Sequence, residues 1–378
     1  MIYLDNAATT FPKPVEVYDA MDKMNRQGAV NAGRGSYKRA YDASKLIHDT
    51  KDLIRNLTHA KNAPVVFSPS ITIAMNQIVN GIPLRNNAVV YVSPYEHNAV
   101  ARSLHYLSLN KDVQVKELPL NRDNEIDIEK TRYEFSKNKP EAVFCTHVSN
   151  VTGYVLPVRE IFFEAKRYGS ITVLDVAQSL GLLDVDATQM NADVIAFAGH
   201  KTLYGPFGVG GFINVHDISL GVFISGGTGS NSLSLEMPQD GESRYEAASQ
   251  NIVAIAGLNA ALKCIDQTYN FNHEKDLTEY LIEGLSRIRK VKMYIPKHRE
   301  TRIGIVSFCV QGYSSEEIGM LLSEDYEIEV RTGYHCAPYI HKYLDDKVTQ
   351  GTVRIGIGKY NTKEEIDKFL AAIRELCE

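Results

Sequence analysis

Between residues 60 and 215 the apolar positions gather into short runs of strand length, at 65–67, 89–92, 142–145, 172–174, 194–197 and 210–215. Most of these alternate with segments of helical spacing. Ile71, Ala74, Met75, Ile78 and Val79 form an i, i+3, i+4, i+7 stripe, and 158–167 reads as another helix. Strands that alternate with helices predict βαβ units and therefore an α/β fold, with a mainly parallel sheet covered on both faces. After the glycine-rich stretch at 226–229 the pattern changes. One long helix is predicted over 251–269, followed by helix 273–289, strand 303–310, helix 315–323, strands 327–331 and 351–357, and helix 362–376. That mixture predicts a smaller α+β unit. The expected division is an N-terminal segment (1–15) packing near the small domain, a large domain (16–259) and a small C-terminal domain (260–378). No repeat, low-complexity tract or flexible linker interrupts the chain, so the two domains should share a rigid interface, where a ligand is expected.

With 378 residues, 44% of them hydrophobic, the chain can bury two cores. The net charge of −5 and the scattered Lys and Arg leave no basic footprint for nucleic acid. The longest apolar runs fall far short of the roughly 20 residues of a membrane helix. The N-terminus, MIYLDNAATT, lacks the basic-then-apolar pattern of a secretory leader. A soluble cytoplasmic protein is expected. Five widely spaced cysteines, none in a CxxC pair, argue against a disulfide framework and a zinc site, so no metal is expected. At least one is free to act as a thiol.

Lys201, in Ala198-Gly199-His200-Lys201, follows the apolar run 194–197. An ammonium at the mouth of a buried strand must be paired, deprotonated or covalently engaged, and Schiff-base formation with an aldehyde uses such a lysine well. Alone, it reads more readily as a surface lysine opening a loop. Asp175 closes the run 172–174 at the carboxyl edge of a parallel sheet, where ligands bind. A carboxylate there suits a protonated pyridine nitrogen, with Gln178 in reach of the ring oxygen; the ordinary alternative is a helix cap. Ser68-Pro69-Ser70-Ile71-Thr72 enters a helix, offering backbone amides and the Thr72 hydroxyl to a phosphate, or simply a capping box. Gly226-Gly227-Thr228-Gly229 is a second candidate anion nest or a plain turn. His97 follows the run 89–92 and can stack on a ring and move protons, and Asn150 follows 142–145 at the same edge. Cys336, in Arg331-Thr332-Gly333-Tyr334-His335-Cys336-Ala337-Pro338, lies on a loop near Arg331 and His335, both of which favour the thiolate. Arg354 interrupts an apolar strand, placed either for bidentate capture of a carboxylate or for an interdomain ion pair.

In this order the elements resemble the class V aminotransferase family of fold-type I pyridoxal-phosphate enzymes, and within it the cysteine desulfurases. The match runs from Leu4-Asp5-Asn6-Ala7-Ala8-Thr9-Thr10 through Glu96-His97, Ser149-Asn150, Asp175-x-Ala177-Gln178, Gly199-His200-Lys201 and Arg244-Tyr245-Glu246 to the Cys336 loop. That short loop resembles the group II enzymes, which include selenocysteine lyases. The resemblance implies a seven-stranded, mainly parallel sheet and pyridoxal 5'-phosphate held by Lys201. Asp175 would pair the pyridine nitrogen, Gln178 contact the phenolic oxygen and His97 stack on the ring. Ser70, Ile71, Thr72 and His200 would hold the phosphate, with Thr228 supplied by the other subunit of a homodimer. Asn150 would serve both cofactor and substrate, and Arg354 and Asn31 the substrate. Cys336 would attack the sulfur of L-cysteine, giving alanine and a persulfide for an acceptor protein or small thiol; L-selenocysteine, or a plain transamination, is the alternative. Two positions depart from the family: Ala198 replaces its usual Ser or Thr, and Ser70-Ile71-Thr72 its usual Gly-Thr-Thr or Gly-Ala-Thr. Fewer hydroxyls would then reach the phosphate.

Overall fold

The computed structural model describes residues 1–33, 35–229 and 233–378. The chain opens with β1 (Ile2–Tyr3), α1 (Val15–Gln27) and α2 (Lys38–Leu57). Then β2 (Val65–Ser68), α3 (Ile71–Gly81), β3 (Ala88–Val92), α4 (Asn98–Asn110), β4 (Val113–Glu117), α5 (Ile128–Lys137), β5 (Ala142–Thr146), α6 (Val158–Lys166), β6 (Ile171–Asp175), β7 (Val194–Ala198) and β8 (Gly210–Asn214) build one seven-stranded sheet of order β2-β8-β7-β6-β5-β3-β4. Six of the seven strands run in one direction, and β8 alone is antiparallel to its neighbours β2 and β7. The inner strands are continuous apolar runs because both faces are covered: Leu174, Ile195 and Phe197 point into one core, and Val173, Ala196 and Phe144 into the other. The sequence pattern misses β4, whose Val-Gln-Val-Lys-Glu lies on the sheet edge and needs only one buried face.

Beyond the sheet come α7 (Ile252–Lys263), α8 (Gln267–Ser286), β9 (Val291–Tyr294), β10 (Ile305–Val310), α9 (Ser315–Tyr326), β11 (Ile328–Glu329), β12 (Arg331–Gly333), β13 (Thr352–Gly356) and α10 (Lys363–Cys377). The helix expected over 251–269 is two helices. Asp266 caps the second by accepting from the Tyr269 amide, which ends the run that apolar spacing alone would extend. The strand expected at 327–331 also divides, because β11 pairs with β1 whereas β12 pairs with β13. The antiparallel sheet β12-β13-β10-β9 shares a third core with α8, α9 and α10, and Ile2 and Leu4 belong to it. Across to the larger sheet, the Ser307 hydroxyl donates to the Val151 carbonyl at 2.6 Å and the Val155 amide to the Thr301 carbonyl at 2.8 Å. Among the described residues, no helix is long and apolar enough to cross a membrane.

Candidate active site at the carboxyl edge of the large sheet

Four adjacent parallel strands deliver the predicted residues to one edge: β3 leads to His97, β5 to His147 and Asn150, β6 ends on Asp175, and β7 runs into His200 and Lys201. The Asp175 Oδ1 accepts from the Ala177 amide at 2.8 Å. Burial pushes its carboxyl up, while that amide and the Lys201 charge hold it down. For Lys201, burial pushes the ammonium down, Asp175 opposes, and Arg354 and Arg331 add to the fall. An amine so placed is readily neutral, which is the form that condenses with an aldehyde.

The turn carrying this lysine is clamped from outside. The His200 carbonyl accepts from the Thr9 hydroxyl (3.0 Å), the Thr10 amide (3.1 Å) and the Lys13 ammonium (3.0 Å), and the Lys201 carbonyl from the Thr10 hydroxyl (3.1 Å). Burial brings Lys13 down to about 8. Gln178 donates its amide to the Ala7 carbonyl at 2.8 Å, tying the same N-terminal segment to the site. Sequence reasoning gave these N-terminal groups no role, since their partners lie nearly two hundred residues away.

His97 caps α4 through Nδ1, which accepts from the Ala99 amide at 3.0 Å, so its hydrogen resides on Nε2. Burial first, then Lys201, Arg331, Arg354 and Arg102, lower it to about 3. A histidine depressed from 6.5 contributes stability fully above pH 6.5, and that contribution fades as pH falls toward 3, at about 1.4 kcal/mol per unit. NMR of the cofactor-free protein should therefore find the His97 ring neutral at pH 5; a midpoint near 6.5 would contradict this. Glu96, just before it, was also missed. Its Oε1 accepts from the Ser93 hydroxyl and the Thr146 amide, both at 2.5 Å, while Oε2 is buried without a partner. Burial and then the Asp175 charge push it up to about 8, so it stands neutral beside Asp175 at pH 7.

The Cys336 loop follows β12 of the four-stranded antiparallel sheet. The Cys336 carbonyl accepts from the Asn98 amide at 2.7 Å, so the loop is bonded to the residue after His97. Asn150 Nδ2 donates to the His335 carbonyl at 2.7 Å, and Arg331 Nη2 lies 3.8 Å from the Cys336 sulfur. His335 and Cys336 adopt φ of +48° and +56°, a left-handed backbone that non-glycine residues hold only when neighbours enforce it. The expectation that His335 favours the thiolate is corrected. Burial, then Arg354, push it well below its ordinary value, so it is uncharged, and its Nε2 meets the Thr352 hydroxyl at 2.7 Å. Burial raises the thiols of Cys145, Cys264, Cys309 and Cys377.

Beneath the loop, His341 Nε2 donates to the Tyr334 carbonyl at 3.0 Å while Nδ1 pairs with Asp346 Oδ2 at 2.5 Å. Both residues are buried. His341→Gln leaves Asp346 buried without its partner, and should cost about 3–5 kcal/mol in chemical denaturation; a loss below 1 kcal/mol would contradict this bracing role.

Arg354 is tied on two sides: Nη2 pairs with Asp5 at 2.6 Å and Nη1 donates to the Asn150 carbonyl at 3.0 Å, leaving a buried, unpartnered Nε. Ser70 caps α3 by accepting from the Ile73 amide at 3.3 Å; Ile71 is buried and Thr72 exposed. Gly210 lies so close that a Cβ there would come within 3.0 Å of the Ile71 nitrogen. Asn31 and Thr228, with Gly227 and Gln250, line a cavity of about 510 Å³ that Lys201 does not border. Within one chain they are not brought to the lysine.

The residues at the sheet edge fit pyridoxal phosphate: a buried amine, an under-neutralised buried carboxyl, and a His200 ring whose buried Nδ1 has no partner. Among the described residues no group of three or more His, Cys, Asp or Glu could hold a metal. Comparison with known proteins agrees with the geometry. A probable cysteine desulfurase of Pyrococcus abyssi is 30% identical over 386 residues, covering 100% of this chain and 94% of the relative. One from Aeropyrum pernix is 31% identical over 401 residues, with the same coverage. The apo structure of a cysteine desulfurase from Thermococcus onnurineus NA1 superimposes with a TM-score of 0.92 at 28% identity, covering 100% of this chain and 94% of that one. The model of the family Aminotransferase class-V matches residues 2–369, nearly the whole chain, and this protein belongs to that family.

Proposed function

We propose that the chain is a pyridoxal-phosphate-dependent cysteine desulfurase that converts L-cysteine to L-alanine and retains the sulfur as a persulfide on Cys336. The carrying observation is the Asn98 amide bond to the Cys336 carbonyl, which fastens the loop cysteine to the edge that holds His97, Asp175 and Lys201. A plain transamination has no use for that thiol.

Lys201, Asp175 and His97 would hold the cofactor, with Ser70, Ile71, Thr72 and His200 around its phosphate; when bound, it supplies a sink for the electron pair released at the substrate α-carbon. Lys201 Nζ, whose burial favours the uncharged amine, takes the α-proton. Asp175 would supply the compensating negative charge for a protonated pyridine nitrogen, and Glu96, being neutral, adds no second one. Arg354 orients the substrate carboxylate with its unpartnered Nε or by displacing Asp5. Cys336 Sγ then bonds the substrate sulfur as the carbon–sulfur bond breaks, the electron pair staying with the carbon that becomes the alanine methyl. Arg331 Nη2 lies 3.8 Å from that attacking sulfur.

The protein would act as a homodimer in the cytoplasm. Asn31 and Thr228 lie apart from Lys201 in their own chain, and Leu233 and Leu235 on the following segment are almost fully exposed. A second copy would cover those leucines and receive the two polar residues. The test is stoichiometric: protein supplied with pyridoxal phosphate and L-cysteine, without an acceptor, should yield one alanine and one Cys336 persulfide per active site. Keto-acid-dependent amino transfer without persulfide would reject the proposal.

A further inference from the structure

Next to Cys336 lies a second cavity, of about 470 Å³, whose walls are α4 and the loop after the cysteine. Asn98, Ala101, Arg102 and His105 face it at i, i+3, i+4 and i+7 of α4, and Tyr334, Pro338 and Tyr339 close the other side. Lys201, His97, Asp175 and Arg331 do not border it, so it shares the sulfur with the site described above but not the lysine. No carboxylate borders it either. Arg102 is exposed and forms no hydrogen bond or ion pair with any described residue. Of the two acids that act on Tyr339 in this wall, Glu117 is engaged by Lys342 and the Tyr343 hydroxyl, and Glu96 is buried and neutral at pH 7. The cavity is therefore a solvent-open pocket of positive charge ending on a sulfur atom.

Resting on the desulfurase reading, we infer that this cavity is the docking site of the sulfur acceptor, and that it selects a thiol with carboxylates beside it. Arg102 and His105 meet the carboxylates while the acceptor thiol, its proton released to solvent, approaches Cys336. The acceptor thiolate attacks the terminal sulfur of the Cys336 persulfide, the bond from that sulfur to Cys336 breaks, and Cys336 leaves as a thiolate. The acceptor carries away the persulfide, with no net oxidation or reduction. Entry by a wall free of Lys201 lets the acceptor reach the sulfur without passing the cofactor ring.

The test uses the holoenzyme, L-cysteine and three small thiols: mercaptosuccinate (anionic), 2-mercaptoethanol (neutral) and cysteamine (cationic). Each variant is compared with wild type on the same thiol, which removes intrinsic differences in thiol reactivity. Arg102→Glu should lower kcat/KM for transfer to mercaptosuccinate about tenfold, raise that for cysteamine and leave 2-mercaptoethanol unchanged, and the mercaptosuccinate effect should shrink with added salt. Alanine formed in the first turnover, before any acceptor acts, should be unaltered. Arg102→Lys, which keeps the charge, should behave as wild type. An unchanged mercaptosuccinate rate in Arg102→Glu, or an equal loss with all three thiols, would overturn charge recognition at this cavity. Absence of first-turnover alanine in the wild type would instead remove the desulfurase reading, and the proposal with it.

Discussion

Lys201→Ala should lower cysteine turnover by at least about 10⁴-fold, because on the proposed mechanism one side chain would both anchor the cofactor and move the α-proton. The fold should survive. The backbone at 201 is held by the Thr10 hydroxyl on its carbonyl, a bond independent of the side chain, and removing a buried amine relieves a desolvation cost. Asp175 loses the cation that opposes its burial and should take up a proton more readily, loosening its hold on a protonated pyridine nitrogen. Added pyridoxal phosphate should give no absorbance band from a lysine-bound form, and alanine production should fall to background. Retention of that band would mean that another lysine, such as the partly neutral Lys13, holds the cofactor, and the site would have to be redrawn.

Cys336→Ala should cost about 10³-fold in sulfur release, about 4 kcal/mol of transition-state stabilisation, with little change in KM. The residue is given no part in binding the substrate carboxylate, and the loop is braced through main-chain atoms that alanine keeps: the carbonyls of Tyr334, His335 and Cys336. No other thiol borders the cavity that Cys336 lines, and Cys145 and Cys309 are buried in the same core. Mass spectrometry should find no persulfide on the variant protein. Full sulfide release from Cys336→Ala would eliminate the nucleophile assignment, and selenide release that survives while sulfide release is lost would favour L-selenocysteine as substrate.

The order of elements, the mainly parallel sheet and the edge on which His97, Asp175 and Lys201 gather were legible in the sequence. Each depends on local pattern: apolar runs of strand length, and polar residues placed just after them. The same local logic failed at 251–269 and 327–331. There, one aspartate's capping bond and a change of strand partner outweighed hydrophobic spacing, and neither is visible in periodicity.

The charges of the site lie on the other side of that divide. That His335 is uncharged, that Glu96 is neutral beside Asp175, and that Arg354 is already engaged by Asp5 follow from burial and from partners far apart in the chain. Tertiary structure alone also set the Cys336 loop against His97, through one main-chain bond joining residues more than two hundred positions apart, and opened the basic cavity beside its sulfur. Sequence determined which chemical groups were available and on which edge four of the strands would present them. Desolvation and long-range contact decided which of those groups are charged, which are occupied and which remain free to react, because both depend on what surrounds a side chain in space.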